Sequence, residues 1–78
     1  MGKYRISVSY EKGIDSHWKE LSDEFNSIRD AIRFCKDKLE AMKHLWWPPI
    51  FRIKNQRDFS IYGISYGLVD KKTRVIKY

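Results

Sequence analysis

Hydrophobic and polar positions alternate from Lys3 to Tyr10, with Tyr4, Ile6, Val8 and Tyr10 on one side. Lys3, Arg5, Ser7 and Ser9 occupy the other. A period of two predicts a strand with one face on a core and one in water. Glu11 to Ser16 reads as a loop in which Gly13 is free to take positive φ. A short second strand is expected from His17 to Leu21, with Trp18 packed against the first.

The period then changes. Ile28, Ala31, Ile32, Cys35, Leu39 and Met42 recur at steps of three and four, which predicts an amphipathic helix. Ser27 is its candidate cap, and Asp30 three residues on gives a weak capping box. Asp23 and Glu24 precede it, where negative charge complements the helix dipole. Phe34 lies at the flank of the stripe, placed to reach over a sheet edge. Trp46 continues the stripe four positions after Met42. Trp47 stands before Pro48 and is pushed out of the α region, so the helix stops there.

Three strands follow: Ile50 to Lys54, Phe59 to Val69 and Arg74 to Tyr78, joined at Asn55–Asp58 and Asp70–Thr73. The middle strand has two possible facings. Tyr62, Ile64, Tyr66 and Leu68 alternate on one face, while Phe59 and Ile61 fall on the other. A bulge near Gly63 would reconcile them, with the bulkier set toward the helix. The expected fold is α+β: an antiparallel sheet of four or five strands with one helix packed across one face, in β(β)αβββ order. The 78 residues make one domain.

Composition makes this small core credible. A chain of this size buries only about 60–65% of its unfolded surface, but 42% of its residues are apolar and 15% aromatic, which argues against disorder. The single cysteine, Cys35, excludes an internal disulfide and any multi-cysteine metal site. It falls in the helix stripe and reads as a small buried hydrophobe. Met1 to Tyr4 runs into strand residues without a signal-like apolar run, so the expectation is a soluble, cytoplasmic chain with no membrane contact.

Charge is lopsided. The net charge is +6, and Leu45 to Tyr78 holds seven cations against two acids. The first 44 residues hold nine against eight. Such a field draws polyanions or acidic protein surfaces. Catalytic chemistry is not legible: His17 and His44 stand apart, too few with Cys35 for a zinc site. No glycine-rich phosphate loop is present. The expectation is a non-enzymatic protein without cofactor or metal.

The candidate partner-contacting residues are Lys3, Arg5, Trp47, Arg52, Lys54, Arg57, Lys71, Lys72 and Arg74. Alternation puts Lys3, Arg5, Arg52 and Lys54 on the sheet face away from the helix. Cations interleaved with tyrosines suit single-stranded DNA or RNA, which stacks bases and neutralises phosphates together. No Arg-Gly-Phe-type run of an RNA-binding sheet is present, however. A Trp at position 47 is the residue type that protein-binding hot spots favour. The leading expectation is therefore a small regulatory protein that docks this surface on an acidic or nucleic-acid-handling protein partner and modulates or blocks it. In size and layout it is similar to the one-helix, one-sheet accessory proteins with which bacteriophages and other mobile elements block host machinery. Direct nucleic-acid binding is the alternative. A last strand at a sheet edge also offers a homodimer contact.

Overall fold

The computed structural model describes residues 3–10, 18–42, 44 and 48–78. It contains β1 (Tyr4–Ser9), β2 (Lys19–Phe25), α1 (Ile28–Met42), β3 (Ile50–Lys54), β4 (Ser60–Tyr66) and β5 (Thr73–Lys77). The strands form one sheet in the order β2-β1-β3-β4-β5, with every neighbouring pair antiparallel. β2 and β3 therefore run the same way with β1 between them, and α1 connects them across one face. This is the α+β architecture expected, with five strands. Gly13 and His17 lie outside the described residues, as do Trp46 and Trp47.

The core is the meeting of two periodicities. Ala31, Cys35 and Leu39, four apart on α1, pack on Ile6, Val8, Phe51, Ile53 and Ile64 of the three central strands. All eight are buried. Each fully buried large aliphatic or aromatic side chain contributes about 1.5–3 kcal/mol. At the flank, the Phe34 ring tilts against Phe25 of β2 with centroids 5.1 Å apart. That closes the core at the β2 edge, and the Lys38 ammonium lies 5.3 Å from the centre of the same ring.

β1 departs from simple alternation. Ser7 and Ser9, on the face turned away from α1, are only 2% and 1% exposed. Both faces of the strand are covered, and every fully buried side-chain nitrogen or oxygen among the described residues is hydrogen-bonded. Tyr10, expected in the strand, lies beyond its end and is exposed.

β2 is longer than expected and displaced toward the helix. Asp23 and Glu24 are strand residues, with Glu24 opposite Arg5, rather than a charged approach to α1. The register explains why the alternation was hidden. Ser7 faces Glu20 and Arg5 faces Glu24, so Ile6 alone stands against Leu21, Ser22 and Asp23. Two extra residues leave the strand's parity unchanged, so Leu21 and Phe25, four positions apart, both face the core.

The bulge in β4 exists but sits two residues before Gly63. Ile53 pairs with Tyr62 and Lys54 with Ser60, leaving Ile61 as the extra residue. Tyr62, Ile64 and Tyr66 consequently pack with the core. β4 stops at Tyr66, so Leu68 falls in the turn, where Gly67 N–H donates to the Lys72 carbonyl (2.8 Å) and Lys71 N–H to the Gly67 carbonyl (2.9 Å). Gly63 faces away from α1, beneath Tyr78: a Cβ there would lie 2.5 Å from the Tyr78 hydroxyl.

Candidate interaction surface

Strand register brings three of the candidate cations together on the helix-free face. Arg5 pairs across from Lys54, and Ser7 from Arg52. The same fold supplies their partners. Arg5 Nη1 lies 3.2 Å from Glu20 Oε1, and Arg5 Nη2 donates to Asp58 Oδ1 at 2.7 Å. Lys54 Nζ is 3.6 Å from the same Asp58 oxygen. Arg52 stacks on Trp18, its guanidinium carbon 4.0 Å from the ring centre. Trp18 thus packs over β3. Arg5 and Lys54 are compensated by acids of the same fold, while Arg52 is held by an aromatic ring.

Asp58 reaches this position because of its turn. The Asn55 amide donates to the Phe59 carbonyl and the Asp58 amide to the Asn55 carbonyl, both at 3.0 Å. Asn55 Oδ1 accepts from the Arg57 and Phe59 amides, also at 3.0 Å. This side-chain-closed turn ends with Asp58 at φ 67°, a left-handed conformation that Asp tolerates better than most residues. Sequence reasoning missed Glu20, Asp58 and Trp18. The usable signal was Asn55 followed three residues later by Asp58, which marks a tight turn pointing back at β1.

The remaining candidates fall in two groups. Lys3 and Arg57 line a shallow pocket of about 300 Å³ with Tyr4, Asn55, Gln56 and Phe59, at the start of β1. Lys71, Lys72 and Arg74 lie at the opposite end of β4, which spans roughly 20 Å at ~3.3 Å per residue. Arg74 pairs with Asp70, and this hydrogen bond holds the Asp70 carboxyl below its ordinary range. Lys71, Lys72 and Lys77 form no ion pair with a described residue. Trp47 lies outside the described residues.

The two sheet edges differ. β2, with sequence Lys-Glu-Leu-Ser-Asp-Glu-Phe, carries four charges and an irregular register, devices that blunt an edge. β5 pairs with β4 without a break from Thr73 to Lys77 and contains no proline. Tyr78 N–H donates inward to the Ile61 carbonyl, and the Lys72 carbonyl also points inward. Alternation therefore turns the N–H and C=O groups of Thr73, Val75 and Lys77 outward. Beside them Ile76 is 51% exposed and Tyr78 63%. A second pocket of about 260 Å³, lined by Pro48, Ile50, Ser65, Tyr66 and Leu68, opens at the same end as the β4–β5 turn.

Among the described residues, no group of His, Cys, Asp and Glu side chains could hold a metal ion. Burial pushes the Cys35 thiol up to about 12, so it stays protonated and unreactive inside the core. No helix of the described residues is long and apolar enough to cross a membrane. Comparison with family models, with curated proteins and with solved structures returns no match.

Proposed function

We propose that this protein is a non-catalytic interaction module of the cytoplasm. It docks on a protein partner bearing an acidic or nucleic-acid-handling surface and modulates or blocks that partner, as the accessory proteins of similar size and layout do. One observation carries this reading: Arg5 and Lys54 are ion-paired internally, whereas Lys71, Lys72 and Lys77, along β5 and its turn near exposed Ile76 and Tyr78, form no ion pair with a described residue. A surface mixing apolar side chains with a few cations suits an acidic protein partner better than a phosphate backbone, which needs a continuous cationic track.

Nucleic-acid binding is the second reading, favoured by the pocket where Lys3 and Arg57 meet Tyr4 and Phe59. Aromatic faces beside cations are what single strands use. Anisotropy titrations with a single-stranded oligonucleotide at 50 and 200 mM salt, run beside affinity capture with and without nuclease, separate the two. The protein-partner reading expects weak oligonucleotide binding and a captured protein that resists nuclease. Tight oligonucleotide binding with a steep salt slope would favour the second reading.

A further inference from the structure

We propose that β5 is a receptor strand: its outer edge takes an extended acidic segment of a partner protein as a sixth strand of the sheet. The inference rests on the protein-partner reading and names its mode of contact. The outward N–H and C=O groups of Thr73, Val75 and Lys77 offer three donors and three acceptors in ladder spacing. Nothing in β5 interrupts that ladder, in contrast to the charged and irregular β2 edge.

Charge selects the occupant. Residues 70–78 hold four cations and one acid, and that acid, Asp70, is already taken by Arg74. An incoming segment with Glu or Asp at alternate positions would line its carboxylates along the face of Lys77, and the turn lysines Lys71 and Lys72 add to the positive field at the start of the strand. A second copy pairing β5 against β5 would instead double the positive charge along the seam, and like charges on neighbouring strands oppose pairing. Side-chain specificity would come from Ile76 and Tyr78, which share the helix-free face, the Tyr78 ring lying over Gly63.

The test uses the whole chain and a short peptide alternating Glu with Val, followed by residue-resolved amide hydrogen exchange. Strand addition slows exchange at Thr73, Val75 and Lys77 by about tenfold once the free peptide reaches about ten times its Kd, which is at or below about 1 mM. A peptide with Lys in place of Glu gives no protection, and neither does a Glu peptide N-methylated at alternate residues. Val75→Pro removes an outward N–H at the centre of β5, a kind of position where edge strands tolerate proline, and it abolishes protection. The two control peptides leave the protein untouched, so the test survives if that variant does not fold. Absence of protection, or protection that appears with protein concentration alone, overturns the proposal. If a captured protein still resists nuclease in that event, only the strand-addition mode has failed. If the oligonucleotide rather than any protein binds, the underlying reading has failed as well.

Discussion

Asp58 and Arg5 lie 53 positions apart, yet Arg5 Nη2 donates to Asp58 Oδ1 at 2.7 Å. The contact joins the β3–β4 turn to the central strand and places a negative charge between two cations. It decides the electrostatic character of the helix-free face. Asp58→Asn keeps a residue type that accepts φ 67° but removes the charge. Because Asp58 is largely exposed, the expected loss is under about 1 kcal/mol in urea unfolding. Binding of a single-stranded oligonucleotide should rise, as Arg5 and Lys54 are released. Asp58→Val should lose a further ~1–2 kcal/mol, since a β-branched residue resists the left-handed backbone.

Gly63 leaves room for Tyr78. With a methyl group 2.5 Å from the hydroxyl, Gly63→Ala forces the Tyr78 ring off the sheet. That ring is the far end of an exposed side chain, so stability should change by less than about 1 kcal/mol. The signature is local: Tyr78 ring resonances move toward random-coil shifts while those of Ile64 stay in place.

Cys35 links stability to alkaline pH. Its thiol is raised from an ordinary 9.0 to about 12 by burial, so the unfolded chain releases this proton first. The stability tied to it is complete below pH 9 and falls progressively as pH rises from 9 toward 12. Urea titrations across this window should show a steeper loss for the native chain than for Cys35→Ala. A thiol reagent at pH 8 should label Cys35 only as fast as the protein opens.

Asp70 works at the other end of the scale. The Arg74 hydrogen bond lowers its carboxyl, so this contribution is present above the ordinary carboxylate value of 3.8. It is lost as pH falls through the lowered value. An NMR titration should find the Asp70 carboxyl titrating below the chain's unpaired acids, and Arg74→Gln should bring it back up.

Much of the fold was legible because two regular periods dominate it. Steps of four from Ala31 to Leu39 and alternation through Ile6, Val8, Phe51 and Ile53 specify a helix on a sheet. β2 was blurred because polar Asp23 takes the alternate position between its core-facing residues, Leu21 and Phe25, within an irregular register. Its acids then looked like helix-dipole residues. The bulge expected near Gly63 falls at Ile61, two residues earlier, because alternation shows that the facing flips between Ile61 and Tyr62 but not which residue is the unpaired one. The surface was half legible. Alternation correctly groups Arg5, Arg52 and Lys54, but it carries no information on a turn residue that folds back to pair with Arg5 and Lys54.

The central claim is that the working surface lies along β5 and its turn, with Arg5 and Lys54 held by their own acids and Arg52 by the Trp18 ring. The most direct measurement compares two charge reversals in nuclease-treated capture, Lys71→Glu with Lys72→Glu against Arg52→Glu with Lys54→Glu. Each pair is first checked for melting within a few degrees of the parent chain. The account predicts that the Lys71/Lys72 reversal abolishes recovery of the partner protein and that the Arg52/Lys54 reversal leaves it within about threefold. Loss of the partner with the Arg52/Lys54 reversal alone would contradict it and return the contact to the helix-free face.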